Sequence, residues 1–248
     1  MLCLNRLLRI EMILRDVLYI SYRVPAGAVR PFVPEALSLA TIGEDGAFIS
    51  VVLLRCCHVH ATYFPLPRFN YEQINIRTYV KDPETGKQAV YFIRSPVTSP
   101  VVSALTNTIG LPWELATLNL SVSRSPVNQA IAYSAAGDWQ GKISLKVEEF
   151  SPLPSGMPPF QSPREAMAFL ILPLTGFFGR RDHVKGFHIR HPEMMSRTAR
   201  LADFTFPLLT GLGLMAVADI RNPHSVLYVP EASFYIYLPA RAVVSKGG

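Results

Sequence analysis

Residues 69–94, FNYEQINIRTYVKDPETGKQAVYFIR, hold two alternating runs on either side of a turn containing Pro83 and Gly86, the pattern of a β-hairpin. Strand side chains alternate between faces. Tyr71, Gln73, Asn75, Arg77 and Tyr79 therefore share one side, and Ile74, Ile76, Thr78 and Val80 share the other. The aliphatic side belongs to a core. The polar side carries two amides, a guanidinium and two phenols, where a solvent face more often shows Lys, Glu and Ser, and it reads as the wall of a small-molecule pocket. The same alternation also fits an ordinary solvated face, with Arg77 making only a surface cation–π contact of about 0.5–1 kcal/mol. With Lys81 placed opposite Lys87 across the turn, Arg77 faces Tyr91 and Asn75 faces Ile93. That mixture suits an amphipathic ligand.

Composition bounds the rest of the reading. The chain has 248 residues, enough for a substantial core, and no linker divides it. Only 17% of residues are charged and 21 are proline, which favours many short strands joined by turns. The net charge of +6 is scattered, with no basic stripe to track a phosphate backbone, so nucleic acid is excluded as a partner while an anionic ligand is favoured. Three cysteines, Cys3, Cys56 and Cys57, make no disulfide framework and point to a reducing cytoplasm.

Residues 1–15 are apolar but are broken by Arg6, Arg9, Glu11 and Arg15, so they form neither a signal peptide nor a transmembrane segment. They read as an extension, a short amphipathic helix leading into a strand, with Met12 as an alternative start; residues 16–248 read as one domain. Ala166–Gly179 is too short to span a bilayer and reads as buried helix or lid.

Strands are expected at Val17–Val24, Ala47–Leu54, Asn119–Ser125, Gln129–Ser134, Lys142–Phe150, Phe187–His191, Arg200–Phe206, Gly213–Ile220 and Ala232–Leu238, with Ala136–Asp138 as a turn and Pro65–Pro67 as a break. The Ala47 strand is almost wholly apolar and should be buried on both faces. Ser99–Thr108 reads as a short helix. Ser162-Pro-Arg-Glu165 supplies an N-cap, a first-turn proline and a third-position glutamate, so a second helix starts at Pro163.

Cys56, His58 and His60 alternate along one strand face, yet three such positions span about 13 Å, too far to close on one ion without a bulge. No metal site is assigned. No nucleophile elbow, phosphate loop or dinucleotide fingerprint is present.

The Val24-Pro25 entry running to Pro34, the apolar strand at Ala47, Asn75-Ile-Arg-Thr-Tyr-Val80, Val90-Tyr-Phe92, Leu111-Pro112 with Ala116, and Val226 to Pro239 together resemble the YqjF-like proteins, an uncharacterised bacterial family grouped with the acetoacetate decarboxylase-like fold. The resemblance covers most of the chain. It implies an α+β, β-rich single domain: a strongly curved or barrel-like, mostly antiparallel sheet enclosing a cavity, with a few short helices. It also implies that the Gln73, Asn75, Arg77 and Tyr79 face lines that cavity.

Two departures limit what is inherited. The family typically carries Glu where this chain has Gln73, and a neutral amide is neither a general base nor an acid. Glu72 points to the opposite face. Acetoacetate decarboxylase uses a Schiff-base lysine activated by a second lysine, in the segment that aligns with Leu111–Leu115; here Trp113 and Glu114 stand in those places, and no Lys lies between Lys87 and Lys142. Schiff-base decarboxylation is not expected.

The candidate ligand-binding set is therefore Gln73, Asn75, Arg77, Tyr79 and Tyr91, with Trp113 and Glu114 capping the cavity; no catalytic residue and no cofactor are assigned. The leading reading is a pocket protein for a small amphipathic carboxylate or keto compound, with Arg77 pairing the anion. Two others stay open. One is a lyase- or hydrolase-type enzyme with Tyr79 or Tyr91 as acid and Arg77 holding an oxyanion; the other is an interaction protein with a filled core. Homo-oligomerisation is also left open.

Overall fold

The computed structural model describes residues 8–108, 110–111, 113–125, 131–180 and 183–243. Its elements run β1 (Leu8–Pro25), α1 (Ala26–Val29), β2 (Ser38–Leu39), β3 (Gly46–Ala61), β4 (Phe64–Lys81), β5 (Gln88–Arg94), α2 (Pro100–Thr108) and β6 (Thr117–Arg124). They continue as β7 (Ile131–Asp138), β8 (Lys142–Ser151), α3 (Pro163–Leu170), β9 (Thr175–Arg180), β10 (His183–Arg190), β11 (Arg197–Thr205), α4 (Pro207–Gly211) and β12 (Ser225–Ala242).

Closure comes from β1, which is hydrogen-bonded along both edges, to β3 and to β12. Pairing in the order β1, β3, β4, β5, β9, β10, β12 and back to β1 closes a seven-stranded barrel. These pairings are antiparallel except β5 with β9, which is parallel. Beyond β12 the sheet continues as β11, β8, β7 and β6, an antiparallel flap. The fold is thus the mostly antiparallel, barrel-like sheet with few short helices that the resemblance implies.

Alternation assigns the two faces of the barrel wall. Ile74, Ile76 and Val80 of β4 and Ile49, Val51 and Leu53 of β3 pack outward with Leu120, Tyr133, Leu145 and Phe204 of the flap. Tyr71 and Tyr79, with Val52, Leu54 and Cys56, turn inward. The first half of β3 is consequently buried on both faces, as its apolar run predicts.

In β1 the phase changes. Met12 and Leu14 face the interior, a register shift follows at Arg15–Leu18 with Asp16 at φ +52°, and then Val17 and Tyr19 face the interior instead. An extra residue in a strand inverts the alternation after it. Asp16, held at 6% exposure by this bulge, bonds Arg55 (2.7 Å), Arg124 (2.9 Å) and the Tyr228 hydroxyl (2.8 Å), tying the barrel to the flap. Glu72, outward-facing as expected, accepts from Arg55 (3.2 Å) and from the Leu120 backbone N–H (3.1 Å).

Several expectations are corrected. Leu8–Arg15 is not a helix but the first half of β1, paired with β12 from Leu8↔Leu238 to Arg15↔Glu231. Ala166–Gly179 is split: Ala166–Leu170 ends α3, and Thr175–Arg180 is the barrel strand β9, whose apolar run is buried on both sides and so lacks strand alternation. Pro65–Pro67 does not break the chain but belongs to exposed early β4, where prolines cost no central ladder bond. Ala136–Asp138 ends β7 and the turn falls at Trp139–Gly141. Gly213–Ile220 is turn and 3-10 helix rather than strand.

α2 forms within the expected Ser99–Thr108 segment, and α3 starts where its cap predicts. The Ser162 hydroxyl accepts from the Glu165 N–H at 3.1 Å, and the Glu165 carboxylate accepts from the Gln161 N–H at 2.6 Å. Gln129 of the expected second meander strand, Cys3 and Pro112 lie outside the described residues. No helix among the described residues is long and apolar enough to cross a membrane.

Candidate functional site

The barrel interior retains a cavity of about 70 Å³. Its polar wall is the inward face of β4: Gln73, Asn75 and Arg77, exposed by 5, 9 and 8% respectively. Aromatic and aliphatic side chains from β1, β3, β5, β10 and β12 close the remainder, including Tyr19, Val52, Phe92, Phe187 and Phe234. At roughly 10–15 Å³ of such space per water, this is room for a few waters or a compound of a few heavy atoms.

Arg77 is the only charged side chain among the described residues lining it. One terminal nitrogen donates to the Leu170 carbonyl at 2.5 Å, and the guanidinium lies 5.1 Å from the Tyr19 ring and 5.7 Å from the Tyr79 ring. The carbonyl belongs to the last turn of α3, where backbone acceptors lack helical partners and the helix dipole favours a cation. No described carboxylate pairs with Arg77, and its buried Nε has no hydrogen-bond partner. Leaving a buried charge without a counter-charge costs several kcal/mol, so this arrangement is unfavourable unless an anion completes it.

The amides are orientated by their neighbours. Cys56 Sγ donates to Gln73 Oε1 at 3.7 Å, and Gln73 Nε2 donates to Asn75 Oδ1 at 2.9 Å, leaving Asn75 Nδ2 as a free donor among the described residues. Burial pushes the Cys56 thiol up to about 12 and raises Tyr71 well above the usual phenol value, so both stay neutral near pH 7. Cys56 shares no face with His58 and His60. A register shift after Cys56, with His58 at φ +54°, puts both histidines on an outer depression beside Arg68. Among the described residues no group of three His, Cys, Asp or Glu side chains gathers to hold a metal ion.

The remaining candidates separate. Tyr79 is buried at the α3 end, where its hydroxyl shares a 2.6 Å bond with Ser50 and donates to the Leu170 carbonyl at 2.9 Å; it is committed to structure. Tyr91 is on the other side of the wall. Lys81 pairs with Gln88, not Lys87, so Tyr91 stands opposite Thr78 and donates to the Gly179 carbonyl at 2.6 Å. A one-residue slip turns every side chain of a strand over. Phe92 takes the inward place instead, opposite Arg77.

Trp113 lines both the cavity and an outer cleft of about 330 Å³, and so stands with Phe92 between the two. Glu114 lines only the outer cleft, where it bonds Arg94 (2.8 Å) and the Trp139 indole N–H (3.2 Å). No lysine is among the described lining residues of the cavity.

His191 lines the cavity and is absent from the expected ligand set. Alternation from Phe187 through Ile189 puts it on the cavity side, but nothing local to β10 says that this face meets the polar wall of β4. Gly176 also shapes the wall. A Cβ there would come within 2.8 Å of the Phe92 ring and 2.9 Å of the Phe187 ring, which stack across it at 5.9 Å.

Comparisons with known proteins agree with this architecture. The Legionella pneumophila acetoacetate decarboxylase superposes with a TM-score of 0.62 at 13% identity, over 96% of this chain and 88% of that one. An acetoacetate decarboxylase-like enzyme from Sphingomonas wittichii RW1 gives 0.60 at 12% identity, over 98% and 95%. The enduracididine biosynthesis enzyme MppR, complexed with pyruvate, gives 0.61 at 15% identity, over 99% and 93%. At these identities the likeness shows the fold. No curated protein matches the chain in sequence. Residues 11–233 match the family model DUF2071, described as an uncharacterized conserved protein (COG2071), and the chain belongs to that family.

Proposed function

We propose that the protein binds a small 2-oxo carboxylate inside its barrel, with the carboxylate on Arg77 and the keto oxygen accepting from Asn75 Nδ2. The observation that carries this reading is the Arg77 guanidinium, 8% exposed, without a carboxylate partner among the described residues and with an orphaned Nε on the wall of the barrel cavity. A charge-assisted bond to an anionic ligand offsets the cost of that burial. Phe92, Phe187 and Phe234 supply the apolar surface for a short carbon chain, and a volume of about 70 Å³ favours a compact compound over a long one. The pyruvate named for the MppR complex is a compound of this class and size.

Chemistry through a lysine Schiff base is not part of the proposal, because the cavity wall presents Trp113 where the decarboxylase pattern would place an amine. The protein works in the cytoplasm under this reading, with Cys56 and Cys57 as free thiols.

Titration calorimetry with pyruvate, with 2-oxobutyrate and acetate for comparison, tests it. Binding by wild type, loss of at least tenfold in affinity in Arg77→Met, and no mass adduct after borohydride with pyruvate are the expected results. Equal affinity in Arg77→Met, or a borohydride-trapped pyruvate adduct on the protein, overturns it.

A further inference from the structure

We propose that His191 is the proton-transfer residue of this cavity, taking a proton at Nε2 from the carbon beside the carbonyl of a 2-oxo acid whose carboxylate rests on Arg77. The inference depends on the binding mode proposed above and adds a reaction to it.

The geometry fixes the imidazole before any substrate arrives. Its ring lies parallel to Phe234 of β12, 7° from coplanar with centroids 5.7 Å apart. Nδ1 is 2.8 Å from the Pro192 carbonyl oxygen. A carbonyl only accepts, so Nδ1 carries the hydrogen, and in the neutral ring Nε2 is a lone pair. That Nε2 is buried with no hydrogen-bond partner. Here two orphaned polar atoms, Arg77 Nε and His191 Nε2, belong to side chains lining one cavity.

The other titratable groups on that lining are Tyr19, Cys56 and Tyr71. Burial raises all three above their ordinary values, so they remain protonated near neutrality, and no carboxylate is among the described lining residues. Among the described lining residues His191 is the one group whose neutral form is a base. Burial, and then the positive charge of Arg77, hold its pKa below the ordinary 6.5, which favours the base form at pH 7.

The step balances without an external reactant. The C3–H bond of the bound 2-oxo acid breaks, its electron pair becomes the C2=C3 bond of an enolate, the carbonyl pair moves onto oxygen, and the proton goes to Nε2. Asn75 Nδ2–H donates to the developing oxyanion. Return of a proton to C3 restores the 2-oxo acid.

In heavy water that return delivers deuterium, which gives the test. Full-length protein is incubated with pyruvate in heavy water, and loss of the methyl proton signal is followed by NMR against buffer and against Arg77→Met. Wild type should accelerate exchange, with a rate that rises as pH is raised through a pKa below 6.5 and then levels. His191→Gln should bind pyruvate in calorimetry yet exchange about 100-fold more slowly, within the usual range for losing a general base. Pyruvate binding by wild type without exchange above buffer, or exchange undiminished in His191→Gln, overturns the role of His191 and leaves the binding site standing. Failure of wild type to bind pyruvate overturns both. Where His191→Gln does not fold, His191→Asn replaces it: exchange undiminished in that variant overturns the inference.

Discussion

Arg77 donates to the Leu170 carbonyl over 2.5 Å, so the cation on the cavity wall is held by the end of α3 rather than by a carboxylate. A helix terminus offers about half a unit of negative charge and leaves the rest of the guanidinium's charge uncompensated. Function and stability therefore separate at this residue. Arg77→Met should weaken pyruvate binding at least tenfold while changing the thermal midpoint by no more than a few degrees, because it removes a buried charge that lacks a counter-ion. A fall above 10 °C in scanning calorimetry would mean that Arg77 is mainly a structural anchor.

Asp16 is the opposite case, with Arg55, Arg124 and Tyr228 all bonded to it at 2.7–2.9 Å. Asp16→Asn keeps a side chain that tolerates the positive φ at this bulge but leaves Arg55 without one of its two carboxylates. We expect a loss of about 2–4 kcal/mol in urea unfolding, lower than for a fully buried pair because Arg124 is half exposed and Arg55 is partly exposed. A loss below about 0.5 kcal/mol would show that the barrel and flap do not depend on this junction.

Gly176 leaves room for Phe92 and Phe187 to stack across β9. Gly176→Val should cost about 3 kcal/mol or more, since both rings must move and overpacked cores resist by 1–3 kcal/mol even for smaller changes. Equal stability of the variant would mean the wall is looser than its geometry shows.

Trp113 stands between the cavity and the outer cleft. In stopped-flow measurements Trp113→Ala should raise the association rate of pyruvate severalfold and the dissociation rate at least as much. Unchanged rates would place the entrance elsewhere.

Asp82, 3% exposed at the hairpin turn, bonds Arg241 at 2.6 Å and accepts from the Glu84 N–H at 3.0 Å. Burial alone would raise its pKa, but these bonds outweigh it and hold the carboxyl below its ordinary value. The unfolded chain then binds the extra proton first. The stability Asp82 contributes is complete above the ordinary carboxylate range and disappears as pH falls through the lowered folded value. Asp82→Asn should be less stable than wild type at pH 7, and the two should converge as pH falls through the lowered folded value. Parallel stability curves across that range would show that this carboxylate is not coupled to folding.

What the sequence by itself determined is the kind of wall the protein builds. The alternation of β4 separates Gln73, Asn75 and Arg77 from Ile74, Ile76 and Val80, and the doubly apolar β3 and the cap at Ser162 are equally local, because pleat and helix start are fixed by neighbouring residues. What only the tertiary structure decided is which faces meet. A one-residue difference in hairpin register exchanges Tyr91 for Phe92, and a bulge at Asp16 inverts β1 so that Tyr19 reaches Arg77. Closure of the barrel then brings His191, more than a hundred residues along the chain, to the same cavity. Register, bulges and closure depend on pairing between distant strands, where the free energy is shared among many contacts and no single local pattern records it.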